Sequence, residues 1–167
     1  MSPGRESGSA TPAVAQLTRA GVGFTLHAYD HDPTETHFGR EASTALGVAP
    51  ERLFKTLIVS LQGARSPLAC AVVPVSAQLD LRALAQVAGA KKAALAEAAL
   101  AERSTGYILG GISPLGQNRR LPTWIDASAA LWPTVFVSAG RRGLQVELTP
   151  DDLARAAAAG TAAIARR

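Results

Sequence analysis

"RLFKTLIVSLQGARSPLACAVVPV", Arg52–Val75, holds two runs rich in Leu, Ile, Val and Ala on either side of Gly63. Residues 52–61 and 66–75 read as strands, and the short glycine-containing connection predicts a hairpin. In a strand, residues two apart share a face. Lys55 therefore lies with Leu57, Val59 and Leu61, on a face that is otherwise apolar. An ammonium at that position either snorkels to water at the strand end or points into a cavity. In a cavity it would be a fixed positive charge for an anionic or carbonyl-bearing ligand.

The chain around this hairpin alternates between helix and strand signals. "TPAVAQLTRAG" predicts a helix with Thr11 as its cap, Pro12 in its first turn and Gly21 at its stop. "FTLHAY" (24–29) alternates like a strand with one polar face, "DHDPTETHFG" is loop-like, and "REASTALG" is a short helix. "SAQLDLRALAQVAGA" reads as a helix ended by Gly89, and "KKAALAEAALAER" (91–103) reads as a helix by propensity. "LPTWIDAS" (121–128), "PTVFVS" (133–138) and "LQVEL" (144–148) read as strands, with "AGRRG" as the turn between the last two. "TPDDLARAAAAG" makes a final helix with Thr149 as cap and Pro150 at its first position. Short turns between several strands argue for a mostly antiparallel or mixed sheet with helices packed on it, an α/β fold of the α+β type. No repeat or linker divides the chain, so residues 11–167 are expected to form one domain, and the polar residues 1–10 a disordered tail.

The 167 residues, 47% hydrophobic and 18% charged, suffice for a real core without staples. No apolar run approaches a membrane span, and "MSPGRESGSA" has no apolar segment of a signal peptide. The one cysteine, Cys70, forbids an intrachain disulfide and fits a reducing, cytoplasmic setting. It lies in an apolar strand and reads as a buried small hydrophobe rather than a nucleophile. His27, His31 and His37 show no HExxH pattern and have no cysteine partners, so neither a metal nor another cofactor is expected. No serine has a GxSxG setting. With 17 basic against 13 acidic residues the net charge is +4, which permits a polyanionic partner. Basic doublets stand at Lys91-Lys92, Arg119-Arg120, Arg141-Arg142 and Arg166-Arg167; they suit either a solvated surface or phosphate contacts. Eight aromatic residues are too few for a stacking platform on single-stranded nucleic acid.

"STGYILGGISPLGQNRR", Ser104–Arg120, contains four glycines, Gly106, Gly110, Gly111 and Gly116. Such a loop can expose backbone N–H groups to a ligand oxygen, as a phosphate cradle or an oxyanion cradle, or can be a tight turn and nothing more. The Gly-Lys-Ser/Thr of a P-loop is absent, which favours the oxyanion reading.

Taken together, "HAYDHDPTETHFG", "FKTLIV", "STGYILGGISPLGQ" and "VFVSAGRRGL" resemble the bacterial YbaK/EbsC family of Cys-tRNA(Pro) deacylases, from about Thr11 to the C-terminus. The resemblance implies a mixed α/β domain built on a strongly curved, barrel-like sheet with surrounding helices, and a strand near 91–95 in place of helix. It implies a hydrolase that removes cysteine misattached to proline tRNA, an error that size selection alone cannot prevent. Lys55 matches the family's essential lysine. Gly110, Gly111, Ser113 and Pro114 match its carbonyl-cradling loop, while Tyr29, Phe38, Tyr107, Ile112 and Ser138 match residues that line the pocket. Arg119, Arg120, Arg141 and Arg142 are the candidate tRNA contacts. No protein nucleophile is implied: the substrate's own thiol attacks the ester carbonyl. The implied partners are mischarged tRNA and, transiently, prolyl-tRNA synthetase, with no DNA and no membrane. Where the family often reads Ser-Gly-Gly, this chain has Ser138-Ala139-Gly140. Two other functions remain open on sequence: a deacylase for another mischarged tRNA such as Ala-tRNA(Pro), and a non-catalytic module that binds tRNA or a synthetase.

Overall fold

A computed structural model describes residues 10–167, so the expected tail falls, apart from Ala10, outside the described residues. The Arg52–Val75 hairpin is its centre. Strand β2 runs over Phe54–Gln62 and β3 over Leu68–Pro74; they pair antiparallel, Lys55 opposite Val73 and Ser60 opposite Leu68. Every residue of β3 is buried. Leu68, Cys70 and Val72 face one hydrophobic core and Ala69, Ala71 and Val73 face a second. Burial on both faces removes the polar alternation of a half-exposed strand.

The elements before the hairpin are α1 (Pro12–Ala20), β1 (Thr25–Ala28) and α2 (Phe38–Leu46). Those after it are β4 (Gln78–Leu79), α3 (Leu81–Ala88), β5 (Lys92–Leu95), α4 (Ala98–Thr105), β6 (Thr123–Asp126), β7 (Val135–Arg141), β8 (Leu144–Leu148), α5 (Pro150–Ala156), β9 (Gly160–Ala162) and β10 (Ala165–Arg166). They form a five-stranded sheet ordered β5-β2-β3-β6-β9, a three-stranded sheet β1-β8-β7 and a small pair β10-β4. The β3–β6 and β6–β9 pairs are parallel, so the largest sheet is mixed. No sheet among the described residues closes into a barrel.

Along β2, the edge opposite β3 is shared between two neighbours. At its start, Leu53 bridges Phe136 and the Phe136 amide donates to the Arg52 carbonyl at 3.2 Å, joining β7. At its end, Val59–Gln62 pair with β5. Lys55, Thr56 and Leu57 sit between these two attachments, where the sheets part.

The propensity reading of 91–103 as helix is corrected. Lys92–Leu95 is strand, and helix α4 begins only at Ala98. Alanine favours helix weakly; four backbone pairings to the open edge of β2, with Ala93 buried against α3's core, outweigh it. The helix expected from Ser76 likewise starts only at Leu81. Asp80 caps it, accepting from the Ala83 amide at 3.0 Å, and Gln78–Leu79 pair with the C-terminal strand instead.

Asp126 ties that C-terminal segment down. Its Oδ1 accepts from the Ile164 and Ala165 amides, each at 2.9 Å, and its Oδ2 accepts from Ser128 at 3.1 Å. Burial alone raises this carboxyl's pKa, but the hydrogen bonds from Ser128, Ile164 and Ala165 outweigh it and hold the group below its ordinary 3.8. Asp126→Ala orphans three amides, at least one of them buried, and is expected to lower stability by about 2–3 kcal/mol at neutral pH. Because the folded pKa is depressed, the carboxylate's contribution is present above the ordinary pKa and lost as pH falls through the folded value. The gap between wild type and Asp126→Ala in denaturant melts should therefore narrow on acidification; a gap independent of pH would contradict the assignment.

Candidate functional site

The parting of the sheets along β2 opens a cavity of about 250 Å³. It is lined by Leu53 just before β2, Phe54, Lys55, Thr56 and Leu57 from the start of β2, Phe38 and Gly39 from α2, Leu109, Gly110 and Ile112 from the glycine-rich loop, and Ser138 and Gln145 from β7 and β8. Both faces of β2 contribute because the cavity abuts the strand's edge.

Lys55 is half-buried, and desolvation lowers its pKa from the ordinary 10.5. Among the described residues no carboxylate forms an ion pair with it. Of the two sequence readings, strand-end snorkel or cavity lysine, the geometry gives the second. A desolvated cation without a counter-charge is costly to fold around and attracts developing negative charge.

Within Ser104–Arg120, the residues that follow α4 fold as an Ω-loop. Its ends meet where the Asn118 and Arg119 amides donate to the carbonyls of Thr105 and Ser104, at 3.0 and 3.1 Å. Tyr107 braces the inside: it is buried, its hydroxyl donates to the Leu115 carbonyl at 2.7 Å, and burial pushes its phenol up to about 12. It is a strut beneath the loop and does not line the cavity. From outside, Gln16 of α1 accepts the Gly116 amide. The neighbouring Thr11 hydroxyl donates to the Ala139 carbonyl at 2.5 Å, so α1 ties the loop to β7.

Two glycines in this loop are required by space. Gly110 has φ +84°, and a Cβ there would meet the Phe38 ring at 2.6–2.8 Å. At Gly111 a Cβ would lie 2.8 Å from the Cα of Arg141. The Gly111 amide is already spent, donating to Ile108 at 2.9 Å. Ser113 is fully buried, with its Oγ accepting from Leu115 at 3.2 Å, and Pro114 is buried beside it without an N–H. The Gly110 and Ile112 amides have no acceptor among the described residues, and both residues line the cavity.

Ser138 is 8% exposed, and its Oγ accepts from the Gly140 amide at 3.2 Å. It pairs across the hairpin with Gln145. Ala139, in place of glycine, fits without exposure. Tyr29 stands one layer back, outside the cavity lining, and burial raises its pKa.

Of the cavity residues that escaped the sequence reading, two carry polar side chains. Gln145 Oε1 and Thr56 Oγ1 are buried and have no partner among the described residues, and both residues line the cavity. Unpaired buried oxygens in a cavity mark places for a ligand's donors. Counting back across the tight turn from Ser138 would have found Gln145. Nothing in the alternation pattern marks Thr56, which points away from the face Lys55 shares.

The remaining candidates lie outside the cavity. Arg119 and Arg120 are exposed. Arg141 donates to the Arg142 carbonyl at 3.1 Å, and Arg142 donates from Nε to the Leu109 carbonyl at 2.8 Å. Cys70 is fully buried and its thiol is pushed up to about 12 by burial, an environment that suppresses thiolate chemistry. Each histidine faces a glutamate: His27–Glu147 at 2.9 Å, His31–Glu41 at 2.7 Å and His37–Glu35 at 3.2 Å. No group of three metal-ligating side chains occurs among the described residues.

Residues 31–156, which carry Lys55, the Ω-loop and both strands of the Ser138–Gln145 pair, match the aminoacyl-tRNA editing domain. The chain belongs to the aminoacyl-tRNA editing domain family. Within it, EbsC of Enterococcus faecalis (strain ATCC 700802 / V583), provisionally named a Cys-tRNA(Pro)/Cys-tRNA(Cys) deacylase, is 37% identical over 124 residues, 74% of each chain. Two solved structures share this editing-domain fold. One is a provisionally assigned trans-editing enzyme for prolyl-tRNA synthetase, with TM-score 0.80 and 22% identity over 95% of this chain and 100% of that one. The other is the hypothetical protein APE2540, with TM-score 0.81 and 24% identity over 93% of this chain and 100% of that one. No helix of the described editing-domain residues is long and apolar enough to cross a membrane.

Proposed function

We propose that this protein is an aminoacyl-tRNA deacylase that removes cysteine from mischarged Cys-tRNA(Pro), with the cavity beside β2 as its active site. The observation that carries this reading is the composition of the cavity: a lysine with no ion-pair partner among the described residues and two residues whose amides have no acceptor there, Gly110 and Ile112, line it together, and no cysteine does. The one thiol is buried elsewhere, and the Ser138 hydroxyl, which accepts from the Gly140 amide, has no histidine or carboxylate beside it in the cavity lining. Lys55 and the Gly110 and Ile112 amides stabilise the oxyanion that develops at the ester carbonyl. Gln145 Oε1 and Thr56 Oγ1 accept from the substrate's α-amino group and hold the aminoacyl arm in place.

The substrate supplies the nucleophile. Its thiol sulfur attacks the ester carbonyl carbon, the bond from that carbon to the ribose oxygen breaks, and the thiol proton ends on the released tRNA hydroxyl. The products are a cyclic thiolactone, which water opens to cysteine, and free tRNA. Thr11–Arg167 acts as one domain, its sheets meeting along β2 as one strongly curved surface around the site. The setting is the cytoplasm, and transient association with prolyl-tRNA synthetase supplies the tRNA selectivity that exposed Arg119 and Arg120 alone do not.

Deacylation of proline tRNA carrying cysteine, serine or alanine tests this reading. The cysteine ester should be cleaved at least about 100-fold faster than the serine ester, which differs by one atom, since an intramolecular nucleophile supplies a large part of the rate. Equal rates for cysteine and serine would remove the thiol from the mechanism. Preference for alanine would move the substrate assignment to a different aminoacyl group.

A further inference from the structure

Arg142 reaches back from the β7–β8 turn to the mouth of the cavity. Its Nε donates to the Leu109 carbonyl at 2.8 Å, and its guanidinium carbon lies 4.5 Å from the centroid of the Phe38 ring. The Leu109 amide is held from the other side, donating to Glu102 Oε2 at 3.0 Å. One exposed apolar residue, 40% accessible, thus has both its backbone groups gripped by charged side chains. Phe38 is likewise flanked: the His31 ring lies 5.9 Å from it, Arg142 stacks on it, and its ring fills the space where a Gly110 Cβ would stand. Leu109, Gly110 and Phe38 all line the cavity.

We propose that Arg142 is a positioning residue, a clip that fixes the Leu109–Gly110 turn and the Phe38 wall against one another and so aims the Gly110 and Ile112 amides. The inference rests on the reading of the cavity as the site that holds the aminoacyl carbonyl. It differs from a role for Arg142 in gripping tRNA phosphates, the reading that its place in a basic doublet suggests. The contacts themselves distinguish the two. A planar guanidinium can stack on a ring face while its Nε bonds a carbonyl in the same plane. A lysine can contact a phosphate as a point charge but has no plane to stack and no second donor in a fixed fork.

Arg142→Lys and Arg142→Ala separate the clip from a phosphate contact. Each variant is assayed on Cys-tRNA(Pro) and on cysteine esterified to adenosine, which carries no phosphate. Both variants should lose kcat by roughly 10- to 100-fold, by the same factor on both substrates, with KM and its salt dependence unchanged. Independently of any activity, amide hydrogen exchange over residues 108–113 should speed up in both variants while the melting temperature stays near that of wild type. Full activity in Arg142→Lys, a loss confined to the KM for tRNA with a shallower salt slope, or unchanged exchange over 108–113 would each overturn the clip. A wild-type protein that cleaves neither substrate would count against the deacylase reading instead, and the exchange measurement would still decide the role of Arg142.

Discussion

Lys55→Met is expected to lower deacylation by about 100- to 1,000-fold and to leave the protein at least as stable as wild type. The two effects have one cause. Lys55 is a half-buried cation whose pKa is lowered by desolvation, with no acid paired to it among the described residues. Methionine has nearly the same shape and no charge to desolvate, so the cavity accepts it and the melting temperature holds or rises. In the proposed mechanism the electrostatic partner of the developing oxyanion is then gone, and removal of one such group costs about 100- to 1,000-fold in kcat. The lowered pKa also sets a pH sign. In that mechanism the ammonium is the active form, so activity that depends on it is expected to decline as pH rises through a value below lysine's ordinary 10.5. A variant that melts well below wild type would mean that Lys55 is structural. A variant of full activity would mean that the reacting carbonyl lies elsewhere.

Gly110→Ala is expected to cost about 100-fold in activity, far more than its cost in stability. Alanine at φ +84° is strained whatever its surroundings. Here its methyl would also displace the Phe38 ring, moving the wall of the cavity and the amide proposed to face the carbonyl. A displacement of about 1 Å at such a site costs roughly 100-fold in rate. Gly47→Ala is the matched control. It has φ +65° at the C-terminal cap of α2, with nothing within 4 Å of an added Cβ, and lies outside the cavity. Both variants should lose about 1 kcal/mol from backbone strain, while only Gly110→Ala loses activity. Equal activity in the two would show that the loop does not hold the reacting group.

The hairpin over Arg52–Val75 was legible because its apolar runs are long and its turn is short. Lys55 followed from it, since one charge on an apolar strand face is conspicuous against period two. The strand at Lys92–Leu95 was not legible from composition: its order depends on an open edge of β2 that only the fold creates. The strands at Gly160–Ala162 and Ala165–Arg166 escaped for a similar reason: both are short, the first is held by pairing with β6, and the second by β4 and the Asp126 carboxylate from another part of the chain. In the site, Phe38, Ile112 and Ser138 came from family resemblance, and all three line the cavity. Tyr107, expected as a pocket wall, lies beneath the loop because its hydroxyl is committed to Leu115. Thr56 and Gln145 were missed because a cavity between two parting sheets takes residues from a strand's edge, where the alternation of faces no longer says which side chains meet.

Single-turnover cleavage of Cys-tRNA(Pro) by excess purified protein, quenched over time and followed by mass spectrometry of both the released cysteine species and the protein, tests the central claim most directly. The expected result is loss of the ester with transient cysteine thiolactone and a protein whose mass never changes. A covalent cysteinyl adduct on the protein, or free cysteine released as fast from the Lys55→Met variant as from wild type, would contradict a site in which the enzyme supplies charge and position and the substrate supplies the nucleophile.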